Sequence, residues 1–134
     1  MGKTTLTEKL RMQPGQRVLI MNAPPGYVEG LDPLPEGIDL EEVPEGKYDF
    51  VHLFVANGAE LERLGLAALD SVTYDGLLWL SYPKRSSRVK TDLSRDVGWE
   101  VVADAGLRPV TQVSIDETWS ALRFRPIEKV GKSK

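Results

Sequence analysis

The stretch 48–83, "YDFVHLFVANGAELERLGLAALDSVTYDGLLWLSYP", decides the fold. Its opening "YDFVHLFVA" (48–56) is apolar on both faces, the pattern of a parallel strand covered on each side. Asn57 then has N-cap chemistry, with Glu60 at the N3 position. Leu61, Leu64, Ala68 and Leu69 follow at helical spacing. "YDG" (74–76) reads as a turn and "LLWLSY" (77–82) as another buried strand. Strand, helix and strand in this order make a right-handed crossover between parallel neighbours.

Working outward, "RVLIMNAP" (17–24) is a buried strand bounded by Gly15 and by Pro24-Pro25. Before it, Thr5 and Glu8 have capping-box spacing, Leu6 and Leu10 lie one turn apart, and "QPG" (13–15) stops the short helix. Residues 24–47 are rich in proline, glycine and acid, with one short strand near "IDLEEV" (38–43). Downstream, Leu93, Val97, Val101 and Ala105 recur every four residues, which predicts a helix from Thr91 or Asp92 to a C-cap at Gly106. "RPVTQVSI" (108–115) and "WSALRFRP" (119–126), joined by "DET", predict an antiparallel hairpin. The expected fold is α/β, a three-layer sandwich whose mainly parallel sheet ends in an antiparallel C-terminal hairpin.

The chain has 134 residues, enough for one domain, expected over 1–126, with 127–134 as a flexible basic tail. It has no cysteine and one histidine, His52, which excludes disulfides, thiolate chemistry and histidine-rich metal sites. The N-terminus lacks a signal-peptide core and no apolar run reaches membrane-spanning length, so a cytoplasmic location is expected. Formal net charge is −3. Between 29 and 49, Glu29, Asp32, Glu36, Asp39, Glu41, Glu42, Glu45 and Asp49 face Lys47 alone. Such a balance argues against general nucleic-acid binding but leaves room for a local anion site.

The order of elements, with an antiparallel strand last, resembles the class I methyltransferase fold in shortened, Rossmann-like form. More closely, "KYDFVHLFVANGAELE" (47–62), "LLWLSYPKRSSRVKTDLSRDVGWE" (77–100) and "AGLRPVTQVSIDETWSALRFRP" (105–126) resemble a family of small bacterial proteins of unknown function. The resemblance implies the fold and draws attention to the loop after residue 83. It carries no catalytic residue with it.

That loop, "YPKRSSRVKTDLSRD" (82–96), gathers the positive charge: from Lys84 to Lys90 four of seven residues are basic and none is acidic. With a helix expected to start near Asp92, the loop would meet unpaired N–H groups and the positive end of a helix dipole. Lys84, Arg85, Ser86, Ser87, Arg88, Thr91 and Arg95 are therefore the candidate anion-binding residues. Asp92 opposes them, since as N-cap it would satisfy those N–H groups itself. A second set, Asn22, Ala23, Gly26 and Glu41, stands where methyltransferase-like folds hold S-adenosylmethionine. That cofactor stays open, although the glycine-rich loop is not intact: Pro24 and Pro25 remove donors and close approach.

Other features read structurally. "GKTT" (2–5) lacks the earlier glycine and strand of a phosphate-binding loop. His52, in mid-strand, reads as a core or helix-facing histidine, and "DETW" (116–119) as hairpin turn chemistry. No catalytic set or metal-ligand spacing emerges. The preferred function is a non-catalytic or degenerate methyltransferase-like domain that binds an anionic ligand or partner through loop 84–95. S-adenosylmethionine-dependent methyl transfer is one alternative; an interaction module or homodimer without a small ligand is the other.

Overall fold

The strands β1 (Arg17–Met21), β2 (Asp39–Glu41), β3 (Tyr48–Phe54), β4 (Val72–Pro83), β5 (Leu107–Ser114) and β6 (Trp119–Pro126) lie in one six-stranded sheet, ordered β2-β1-β3-β4-β6-β5. The computed structural model describes residues 5–31 and 34–130. The "GKTT" stretch apart from Thr5, Asp32, and the end of the basic tail (131–134) lie outside the described residues. Strands β1 to β4 pair in parallel, and β6 returns antiparallel between β4 and β5. This is the three-layer α/β sandwich that the alternation of elements predicts.

Helices α2 (Gly58–Ser71) and α3 (Glu100–Asp104) cover one face, where Leu61, Ala68 and Val102 pack on Leu19, Val51, Leu53, Leu78, Leu80 and Leu122. The other face carries Val18, Ile20, Phe50, Phe54 and Trp79 beneath Leu10, Met12 and Leu31. Its cover is thin: the single-turn helix α1 (Leu6–Lys9) and the segment 23–31, with a 3-10 turn at Glu29–Leu31. Thr5 and Glu8 form the predicted capping box of α1, and the helix stops at Leu10 because Arg11 turns left-handed (φ 66°).

Two expectations change. "YDG" does not reverse the chain: α2 runs directly into β4, and Tyr48 pairs with Val72 while Phe50 already pairs with Leu77. The extra residues bulge out around Asp75, held left-handed (φ 57°) by a two-pronged pairing with Arg125 at 2.9 and 2.8 Å. The helix predicted from Thr91 is also absent, since residues 84–99 are irregular and α3 starts only at Glu100. Gly98, at φ 101°, cannot continue a right-handed helix, and a Cβ there would come within 2.4 Å of Leu93 Cδ2. The four-residue period therefore misleads: Val97 is 56% exposed, while Trp99 and Val102 supply the buried contacts. Past β6, Ile127–Lys129 form a 3-10 turn, and Tyr74 donates a hydrogen bond to Glu128.

Candidate functional site

Because β1 to β4 are parallel, their C-terminal ends share one edge of the molecule. The pairing of Pro83 with Trp119 brings the hairpin loop 115–118 to the same edge. The loops after β1 and β4 both leave from this edge, where ligand loops lie in open α/β sheets.

The loop after β4 is tied down along its length. Lys84 N–H donates to Thr118 O and Lys84 Nζ to Ser114 Oγ, both at 2.7 Å. Ser87 Oγ donates to Lys84 O at 2.8 Å, Thr91 Oγ1 accepts from Leu93 N–H at 3.0 Å, and Trp99 Nε1 donates to Ser94 O at 2.7 Å. Leu93 is buried beneath it. Asp92 is not the cap of its own helix. Its carboxylate accepts from Gly58 N–H at 2.8 Å, while Asn57 accepts from Glu60 N–H at 2.9 Å and the Glu60 carboxylate takes Ala56 N–H at 2.7 Å. The N-terminus of α2 is thus closed by the protein's own oxygens, and an incoming anion must look to the loop's side chains.

Those side chains border an open cleft of about 740 Å³ lined by Tyr82, Lys84, Arg85, Ser94, Arg95, Asp96, Gln112, Ser114 and Ser120. The floor follows from sheet register: Tyr82 pairs with Ser120, and Ser120 with Ser114, so the three share a row on the helix face. Within that row Ser114 is exposed, whereas Tyr82 and Ser120 are buried, Tyr82 edge-on against Trp99. Small hydroxyl residues there leave space where larger apolar ones would close it. Burial pushes the Tyr82 phenol above its ordinary pKa, so it stays protonated and able to donate. Arg85, Arg88, Lys90 and Arg95 make no ion pair among the described residues.

Of the predicted anion set, Lys84, Arg85 and Arg95 line this cleft, whereas Ser87, Arg88 and Thr91 turn to a neighbouring one. Ser86 is exposed and lines neither. The hydroxyls of Ser87 and Thr91 serve the loop's own turns. Gln112, Ser114 and Ser120 escape sequence reading, because only strand register puts them beside the basic loop. The helix N-terminus that motivated the prediction is corrected to an irregular, anchored loop.

The second predicted set is spread around the end of β1. Asn22, left-handed at φ 59°, donates through Nδ2 to Phe54 O at 2.8 Å and to Glu60 Oε1 at 3.3 Å. Ala23 packs on the core, and Gly26 (φ 83°) makes the Pro24–Tyr27 turn, closed by Tyr27 N–H to Pro24 O at 3.1 Å. Glu41 accepts from Tyr48 OH at 2.5 Å and pairs with Arg17 at 3.4 Å.

His52 lies fully buried, stacked on Phe54 with ring centroids 4.3 Å apart. Its Nε2 meets Ser81 Oγ at 2.6 Å, and Nδ1 lies 3.4 Å from Tyr27 OH. Burial drives its pKa down to about 3, so it is neutral and sealed from the cleft. Asp116 accepts from Thr118 and Trp119 N–H at 2.8 and 2.9 Å, which is turn chemistry, and Trp119 packs edge-on against Phe54.

No protein-family model matches the sequence, and no curated protein matches it. Solved structures do. A SAM-dependent methyltransferase from Aquifex aeolicus is similar at a TM-score of 0.57 and 13% identity, over 89% of this chain and 86% of that one. A ribosomal protein methylase from Lactobacillus delbrueckii subsp. bulgaricus gives 0.57 and 12%, over 89% and 73%. A B. subtilis tRNA methyltransferase gives 0.53 and 11%, over 93% and 67%. At these identities the likeness establishes a methyltransferase-like fold. The resemblance to a small bacterial family of unknown function has no matching family model beside it.

Proposed function

We propose that this methyltransferase-fold protein binds an anionic ligand in the cleft between loop 84–95 and the β5–β6 hairpin. The observation that carries the reading is the convergence of Lys84, Arg85 and Arg95, none of them ion-paired, above the hydroxyl floor of Ser114 and Ser120. Lys84 is already oriented by Ser114, so little side-chain freedom is lost when a ligand arrives. A charge-assisted hydrogen bond contributes about 1.5–3 kcal/mol, roughly tenfold or more in affinity. Replacing Arg85 and Arg95 together by alanine is expected to weaken orthophosphate binding by about a hundredfold. The binding is read from amide shifts of residues 84–96 and 112–120 in NMR titrations. Unchanged affinity in the double variant would overturn the proposal.

S-adenosylmethionine-dependent methyl transfer is the second reading, supported by the methyltransferase identity of the similar structures. The residues after β1 fit the cofactor poorly. Pro24 and Pro25 offer no N–H, the Asn22 amide is spent on Phe54 O and Glu60, and one Glu41 oxygen is taken by Tyr48 and Arg17. Gly26 serves a turn rather than the entry to a helix. Calorimetric titration with S-adenosylmethionine and S-adenosylhomocysteine separates the two readings. With the donors after β1 spent in this way, no heat is expected from either; saturable binding of both would establish the second reading.

A further inference from the structure

We infer that the anionic ligand carries at least two linked phosphoryl groups and lies across Arg85, one group in each of two adjoining clefts. This deepens the anion-binding proposal and rests on it. The cleft of about 740 Å³ adjoins another of about 770 Å³, and both are lined by Arg85 and Ser94. Lys84 and Arg95 stand on the first side of Arg85; Arg88 and Lys90 stand on the second.

Charge decides between one anion and two. From Lys84 to Lys90 the chain places four cations with no intervening acid, and Arg85, Arg88 and Lys90 have no ion-pair partner among the described residues. Two carboxylates line the clefts: Asp92, in the second, is directed at Gly58 N–H, and Asp96, in the first, is outnumbered by Lys84, Arg85 and Arg95. A single anion against Arg85 leaves Arg88 and Lys90 uncompensated, whereas a diphosphate meets cations on both sides at once. Guanidinium forks take phosphoryl and carboxylate oxygens alike two at a time, but a diphosphate carries more charge than a dicarboxylate of its size and so answers the clustered cations better. A long polyanion is disfavoured because the whole chain is at −3 with its acid concentrated in 29–49, so the field is attractive only locally. The chemistry indicated is a compact diphosphate or a diphosphate ester.

The experiment compares orthophosphate, pyrophosphate and a single-stranded oligonucleotide in titrations of the full chain, on the native protein, on Arg85→Ala and on Arg88→Ala/Lys90→Ala. Pyrophosphate is expected to bind at least about tenfold more tightly than orthophosphate, one added charge-assisted contact's worth. Arg88→Ala/Lys90→Ala should reduce pyrophosphate to the orthophosphate level and leave orthophosphate unchanged. Arg85→Ala should weaken both. These residues are exposed, so unchanged melting temperatures serve as the folding control. Equal affinity for the two phosphates, unaffected by Arg88→Ala/Lys90→Ala, would overturn the two-cleft inference while leaving the anion cleft standing. Binding of neither would overturn both. Preference for the oligonucleotide over pyrophosphate would overturn the compact-ligand assignment in favour of a nucleic-acid backbone.

Discussion

Trp79→Ala is expected to lower the unfolding free energy by about 3–5 kcal/mol, the usual cost of removing a buried tryptophan. Trp79 is wholly buried at the middle of β4. Its Nε1 also donates to Leu10 O at 2.9 Å, in the interior. Leu10 is the C-cap of α1, so the bond pins the end of a single-turn helix to the sheet. A helix of that length has no stability of its own, because nucleation costs more than one turn returns. Without the pin, α1 loses its seat and the face of Val18, Ile20 and Phe50 is opened. Trp79→Phe keeps most of the apolar volume but leaves Leu10 O without its donor, for about 1–3 kcal/mol. Urea unfolding followed by far-ultraviolet circular dichroism measures both. A loss below about 1 kcal/mol for the alanine variant would mean that α1 does not dock as described.

Much of this architecture is legible in the chain, and the reason is physical. The runs 17–21 and 48–54 are apolar without alternation because both of their faces are covered, and that pattern admits few other folds. Asn57 and Glu60 announce α2 because the side-chain chemistry of an N-cap is local. Failures occur where the deciding partner is distant. Asp92 followed by leucine and valine at helical spacing reads as a capped helix. In the fold its carboxylate is claimed by Gly58, 34 positions earlier, and Gly98 breaks the segment. "YDG" reads as a turn, yet Arg125 holds Asp75 in a strand bulge from 50 positions away.

The candidate site divides in the same way. Lys84 to Arg95 are visible as charge, because charge is read from composition alone. Gln112, Ser114 and Ser120 look like ordinary hairpin residues until the register sets Ser114 and Ser120 in line with Tyr82. Hydroxyl residues at positions paired with core strands are the signal that would find such a floor, once strand pairing is known.

Acid should destabilise the protein through His52, and His52→Phe should remove that contribution. In the folded state burial holds the pKa of His52 at about 3, against about 6.5 in the unfolded chain. Above pH 6.5 both states are neutral and the histidine has no effect on the pH dependence. As pH falls from 6.5 toward 3, the unfolded chain takes up a proton that the folded protein refuses. Each pH unit in that window therefore removes about 1.4 kcal/mol, and the whole window removes about 5 kcal/mol. For a domain whose total stability is typically about 5–15 kcal/mol, that alone brings the native state near its limit. The groups around the ring do not rescue its charged form. Ser81 Oγ and Tyr27 OH are neutral, Phe54 is apolar, and the Tyr27 phenol is itself held protonated by burial and then by Asp116. Asp75, lowered by its hydrogen bond to Arg125, also costs stability in acid, but it titrates below the ordinary carboxylate range and so acts at the lower end of the window. The measurement is the difference in unfolding free energy between native protein and His52→Phe at several pH values from 7 to 4. That difference should change by about 1.4 kcal/mol per pH unit below 6.5. A pH-independent difference would show that the imidazole takes up its proton in the fold. Should the phenylalanine variant not fold, the His52 C2-proton shift of the native protein reports the same quantity, and a midpoint near 6.5 would refute the burial argument.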